Sequence, residues 1–216
     1  MALPAQALPV YPSQSPSIGT FANRPWSWPK TLGWVPNLAT WLPGDILLFD
    51  SLPGLAGKAI QAYQAANAHA SARQFANLTH CAVYLGGGLI ADSRFRRLVG
   101  VRRLWPETMK RATCVLRFDP KEISPDEVRD FVEEIYELED VPYGATPWAY
   151  KNWRNGTFRH NGAPTGLVCS ALIELAATKA GIPLSLARKV TGPMLPASFM
   201  AHPWLLPVQA EWQISR

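Results

Sequence analysis

Two residues of this chain have the chemistry of a nucleophile and its base: Cys169 and His80. A thiol becomes a useful nucleophile when something stabilises its thiolate. Cys169 lies in a segment, 167–180, that is apolar nearly all round and ends at Gly181 followed by Pro183. That pattern predicts a buried helix with a glycine stop. Cys169 is its third residue, within the first turn, where the helix dipole and unpaired N–H groups favour negative charge. Position alone leaves Cys169 equally at home as a small buried hydrophobe, so the chemistry depends on a base supplied from elsewhere. Of the four histidines, His69 lies in a polar stretch, His160 in an irregular one and His202 beside Pro203. His80 alone heads a strand-like run, Thr79-His80-Cys81-Ala82-Val83-Tyr84-Leu85.

The run after Gly86-Gly87-Gly88 supplies a third residue. If the three glycines form a three-residue loop, Leu85 faces Leu89, Ala82 faces Asp92, and even-numbered residues share one face of a hairpin. His80 and Asp92 are then diagonal neighbours. Asp92 can accept a hydrogen bond from one imidazole nitrogen and leave the other for a thiol. A two-residue loop would instead put Asp92 on the other face. The opposite face carries Cys81, Val83, Leu85, Leu89 and Ala91, an apolar set that makes Cys81 a core residue. Cys114, mid-strand, reads the same way.

The elements that must position these residues are legible in outline. Residues 1–41 are rich in proline and tryptophan, which breaks helix and central strand alike and predicts an extended arm. Its tryptophans either pin the arm to the domain or form a platform for sugar rings or a lipid interface. The compact domain, 42–216, opens at the turn Pro43-Gly44, followed by a buried strand over 45–50 and a helix over 54–66. Residues 67–77 read as a polar loop, 79–86 and 89–93 as the hairpin, and 99–104 and 113–118 as further strands. Ser124-Pro125-Asp126-Glu127 is a capping box opening an amphipathic helix, and 143–166 is irregular. Strand, helix, several antiparallel strands, helix and buried helix make an α+β fold.

Bulk properties narrow the classes. The 216 residues are 48% hydrophobic and 17% charged, enough apolar material for one core. No apolar run approaches the length of a membrane span, so no transmembrane segment is expected. The first twenty residues lack a basic n-region and a continuous apolar h-region, so no conventional secretory signal is expected. Three cysteines without a Cys-x-x-Cys pair argue against a disulfide framework or a structural zinc site. The net charge of +5 is compatible with anionic lipid or acidic envelope polymers. Nucleic-acid binding has no motif behind it. The one dense basic cluster, Arg94, Arg96, Arg97, Arg102 and Arg103, is either a solvated edge or a contact for an anionic ligand.

Five segments, taken in order, carry a family resemblance. They are Leu42-Pro43-Gly44-Asp45-Ile46-Leu47-Leu48-Phe49, Thr79-His80-Cys81-Ala82-Val83-Tyr84-Leu85-Gly86, Gly100-Val101, Pro142-Tyr143-Gly144 and Val168-Cys169-Ser170-Ala171-Leu172-Ile173. Over residues 42–204 the chain resembles the circularly permuted NlpC/P60 papain-like hydrolases. That group includes the YiiX/YaeF-like amidases and, more distantly, lecithin:retinol acyltransferase-like enzymes. The resemblance implies an antiparallel sheet packed against a buried helix carrying the nucleophile, with Cys169 as nucleophile, His80 as base and then acid, and Asp92 as orienting residue. Relatives often have glutamate or histidine where Asp92 stands, and glutamate where Ala171 stands. Tyr143 and Tyr84 are candidate substrate-pocket residues, with core packing as their other reading. No metal or cofactor is required. The resemblance implies cleavage of amide bonds in an envelope substrate such as peptidoglycan, or of phospholipid acyl esters. A non-catalytic binding module of the same shape is the third class. An envelope target and no conventional signal together suggest export by a dedicated secretion machine, as an antibacterial effector with an immunity protein as partner.

Overall fold

The computed structural model describes residues 34–36, 38–51, 54–94, 97–104, 113–142, 157–160, 163–184, 194–208 and 212–214. Their elements are β1 (Trp34–Pro36), β2 (Ile46–Asp50), α1 (Leu55–Asn67), β3 (Leu78–Gly86), β4 (Leu89–Asp92), β5 (Gly100–Arg103), β6 (Thr113–Phe118), α2 (Pro125–Glu137), β7 (Thr157–His160), β8 (Ala163–Leu167), α3 (Cys169–Lys179), α4 (Pro196–Phe199), β9 (Leu205–Pro207) and β10 (Trp212–Ile214). Six strands form one antiparallel sheet in the order β5-β4-β3-β2-β6-β9. The α+β expectation is met. Within the arm, β1 is extended and pairs β10 in a two-stranded ribbon, while Leu38–Thr40 form a 3-10 helix where an extended chain was expected.

Strand β2 explains why its sequence does not alternate. Ile46 and Leu48 face a core shared with Cys81, Val83, Cys114, Leu116 and the helices, while Leu47 and Phe49 face a second cluster with Trp41, Ala82, Tyr84, Ile90 and Val115. A strand covered on both sides reads as a continuous apolar run. On the first face, α3 lays Leu172, Ile173, Ala176 and Ala177 into the core, and α2 adds Phe131 and Ile135. Phe131 meets Phe118 edge-to-face with ring centres 5.4 Å apart. Each of the leucine, isoleucine and phenylalanine side chains contributes roughly 1.5–3 kcal/mol by leaving water. Helix α2 begins as its sequence predicts. Ser124 Oγ accepts from the Glu127 N–H, and the Ser124 N–H donates to Glu127 Oε2 at 2.8 Å. Gly181 closes α3 at positive φ.

Four further local expectations are revised. Residues 70–75 form a 3-10 helix where a polar loop was expected. The His69 ring caps it by accepting from the Ser71 N–H, and Ala72 and Phe75 are buried beneath it. Within the segment expected to be irregular, β7 and β8 pair as a hairpin, while 143–156 lie outside the described residues. That hairpin runs through Leu167 and Val168 remains extended, so α3 starts at Cys169, which is its first residue rather than its third.

The fourth revision concerns the glycine turn. Gly87 and Gly88 make a two-residue turn, both at positive φ as such hairpins require. The ladder pairs Gly86 with Leu89 but Tyr84 with Ile90 and Val83 with Ala91, so a bulge at Leu85 absorbs one residue. The body of the hairpin therefore keeps the register of a three-residue loop, and Asp92 stays on the His80 face.

Candidate active site

The site forms where strand β4 stops. Tyr84 donates its N–H to the Asp45 carbonyl, toward β2. Alternate residues of an antiparallel strand address alternate neighbours, so the Ala82 and His80 amides also face β2, while those of Val83 and Cys81 face β4. Strand β4 ends at Asp92, which lies opposite Ala82 in this register, so the Cys81 amide points past its end. Cys169 lies nearby, its titration shifted by His80 and Cys81 of β3.

Cys81 and Cys169 belong to the same core, which α3 covers, and each shifts the other's titration. His80 lies on the other face, stacked on Phe49 with ring centres 5.8 Å apart, and it and Cys169 shift one another's titration. A bulge at Thr79, where the β2 ladder skips from His80 to Leu78, bends the strand beside the histidine. His80 Nε2 is occupied by Asp92 Oδ2 at 2.9 Å, which leaves Nδ1 as the ring nitrogen for the thiol. Cys169 is 7% exposed and the His80 side chain 13%, so the pair keeps a narrow contact with solvent.

Asp92 is wholly buried and held by two guanidinium groups besides the imidazole. Arg94 Nε donates to Oδ2 at 2.6 Å and Arg102 Nη1 to Oδ1 at 2.8 Å. Gly100 stands directly opposite Asp92, and a Cβ there would lie 3.5 Å from Arg102 Nη1. That is an ordinary contact distance, and Arg102 reaches the carboxylate while also donating to the Gly100 and Leu98 carbonyls.

The charges reinforce one another. Burial alone would raise the Asp92 pKa, but the hydrogen bond and charge of His80, then those of Arg94, bring it below the usual carboxylate value. Burial alone would lower that of His80; the Cys169 charge and the hydrogen bonds to Asp92 and Cys169 overcome this and push it up to about 9. The Cys169 thiol is pulled well below its ordinary value, first by the Cys81 S–H, then by the charge and hydrogen bond of His80 and the Cys81 N–H, against the opposing effect of burial. Burial drives the Cys81 thiol the other way, well up, and the neighbouring Cys169 adds to it. The shifts favour a thiolate beside an imidazolium, with Cys81 a neutral thiol.

The helix start contributes as well. Valine at position 168 supplies no side-chain cap to α3, where Ser, Thr, Asp or Asn would stabilise the helix by about 1 kcal/mol. The first-turn N–H groups are thus left without a side-chain cap, and the helix dipole favours negative charge at that end.

Of the residues singled out in the sequence, Cys169, His80 and Asp92 are thus brought together. Tyr84 is elsewhere, roughly 13 Å along β3 from His80 at the usual strand rise. It is buried edge-on against Trp41, and its hydroxyl accepts from the Gly88 N–H. Tyr143 and Arg96 lie outside the described residues. His202 is buried and bonded to the Leu184 carbonyl, and Cys114 is in the core. Three contributors were missed: Cys81, Arg94 and Arg102. Arg94 and Arg102 share the even parity of Asp92, a usable signal, and they give the basic cluster a use that neither a solvated edge nor a ligand contact anticipated. Arg97 and Arg103 are exposed.

The chain matches no protein-family model and no curated protein. Among the described residues, no helix is long and apolar enough to cross a membrane.

Proposed function

We propose that this chain is a cysteine hydrolase of the circularly permuted NlpC/P60 papain-like type, acting on amide bonds of an envelope substrate such as peptidoglycan. One observation carries the reading: a single imidazole is hydrogen-bonded to a buried carboxylate and bears on a buried thiol whose pKa it depresses. A structural cysteine has no use for that arrangement, and perturbed groups of this kind concentrate at reactive centres.

The Cys169 thiolate attacks the carbonyl carbon, and the carbonyl electrons move onto oxygen. First-turn N–H groups of α3 stabilise that oxyanion. Collapse expels the amine, which takes its proton from the His80 imidazolium, and leaves a thioester on Cys169. Neutral His80 then removes a proton from water as the water adds to the thioester. Departure of the acid restores the thiolate and the imidazolium. Asp92, held ionised by two arginines, keeps the ring oriented and supports its positive charge throughout. The reaction needs no metal or cofactor. A dedicated export route and a cognate immunity protein belong to the same proposal, which treats the chain as an antibacterial effector.

The test incubates wild type and Cys169→Ala with peptidoglycan sacculi and, separately, with phospholipid vesicles, and identifies products by mass spectrometry. Cysteine-dependent muropeptide release is expected. Cysteine-dependent fatty acid and lysolipid would move the substrate to acyl esters. A biological effect retained in full by Cys169→Ala would make the chain a binding module.

A further inference from the structure

We propose that Arg94 is a positioning residue that acts on His80 through Asp92: it takes the same carboxylate oxygen as the imidazole, and so limits how firmly that carboxylate holds the ring in its charged form. The inference rests on Cys169 and His80 being the reactive pair. The two arginines on Asp92 do different things. Arg102 Nη1 donates to Oδ1 at 2.8 Å, and its guanidinium is also tied to the Gly100 and Leu98 carbonyls at 2.9 and 3.0 Å. It anchors the carboxylate to β5. Arg94 Nε donates to Oδ2 at 2.6 Å, the oxygen that His80 Nε2 reaches at 2.9 Å. Two nitrogens bonded to one oxygen stand no farther apart than those two lengths laid end to end. A guanidinium, charged throughout the range in which imidazole titrates, is therefore set close against a ring that gains and loses a proton. The carboxylate between them is wholly buried and the Arg94 side chain is 26% exposed, so water screens their repulsion only in part.

The reaction gives that repulsion a use. In the resting pair the Cys169 charge favours the imidazolium. Acylation removes that charge, and the ring must then stay neutral to take a proton from water. Among the described residues, the charged and titratable groups around the ring are Cys81 on its own strand, Asp92 at the end of β4, Arg94 beyond it, Arg102 on β5 and Cys169 on α3. Strand β2 offers Phe49 to the ring, with Asp50 next along, opposite Leu78. Once the sulfur is acylated, Asp92 is the carboxylate bonded to the ring. Unopposed, it would keep the imidazole protonated and slow the attack of water. Arg94 offsets it.

The experiment follows the His80 imidazole by NMR as a function of pH, its resonance identified by its loss in His80→Ala. The protein is Cys169→Ala, which removes the thiolate as acylation does, alone and combined with Arg94→Lys, Arg94→Gln or Arg94→Met. Lysine keeps the charge, glutamine keeps a donor without charge, and methionine keeps only bulk. Arg102 retains its hold on Asp92 in all of them. The His80 midpoint should rise by about one pH unit in the glutamine and methionine variants and stay near its parent with lysine. If Arg94 served only to hold Asp92 in place, methionine would lower the midpoint and glutamine would leave it unmoved. That pattern, or midpoints unchanged in both neutral variants, would overturn the proposal. A His80 midpoint that is the same with Cys169 as without it would contradict the reactive pair alone, because the Arg94 comparison is made entirely within Cys169→Ala.

Discussion

The two ends of strand β3 use the same device for different purposes. Near the hairpin end, Asp45 is a buried carboxylate gripped by Arg117, with Nε to Oδ1 at 2.8 Å and Nη2 to Oδ2 at 2.7 Å, and it accepts the Leu42 N–H as well. At the other end, Asp92 is a buried carboxylate gripped by Arg94 and Arg102. Asp45 fastens the turn before β2 to β6, and every partner it has keeps its proton at any ordinary pH. Asp92 has one partner that titrates, and that partner holds a thiol. A guanidinium-clamped carboxylate is a fastener when its other contacts are inert, and a charge setter when one of them is a histidine.

The comparison predicts a clean separation of effects. The largest is on turnover: Cys169→Ala and His80→Ala should each lower product release by roughly a thousandfold or more while the fold persists. Asp45→Ala should cost about 3 kcal/mol in denaturant unfolding, because it strands the Arg117 charge, yet leave the Cys169 alkylation midpoint where it is. If Asp45→Ala moves the thiol midpoint as far as Asp92→Ala does, the two ends are not separate.

The pH predictions sharpen the Asp92 end. His80 is raised, so its contribution to stability is complete below the ordinary imidazole value of roughly 6.5. It is lost as pH rises through about 9. The stability difference between wild type and His80→Ala should therefore fade on the alkaline side, and turnover should fall there as the imidazolium loses its proton. Asp92 is lowered, so its contribution is present above the ordinary carboxylate value and lost as acid protonates it. Asp92→Asn, which keeps the shape and removes the charge, should pull the alkaline limb toward neutrality. A limb that stays put in that variant would remove Asp92 from the site's charge balance. The smallest effect belongs to the turn. Gly87 has φ +59 with open space around its Cβ position, so Gly87→Ala should cost only about 1 kcal/mol of backbone strain, seen as a lower melting temperature with thiol reactivity unchanged.

What could be read from residue types was the nucleophile, the base and the pattern of faces. The capping box at Ser124, the two-sided burial of 46–49 and the parity joining His80 to Asp92 all follow from local rules of propensity and period. The misses share a different origin. The Leu85 bulge cannot be told from a wider loop, because both give Asp92 the same parity. The start of α3 at Cys169 depended on β8 extending through Leu167. Cys81 was read as core, and it is core. Its influence on Cys169 comes from the packing of α3 against β3, which side-chain alternation does not carry. Arg94 and Arg102 were visible as charge but lacked an assigned anion until Gly100 was placed opposite Asp92.

The partnership of Cys169 with His80 is tested most directly by titrating the Cys169 thiolate, read as ultraviolet absorbance of wild type minus that of Cys169→Ala, with and without His80→Ala. The account predicts ionisation in wild type well below the ordinary thiol value of about 8.5, moving up when the imidazole is removed. A wild-type thiol that ionises at or above that value, and is indifferent to His80→Ala, would make Cys169 one more buried cysteine.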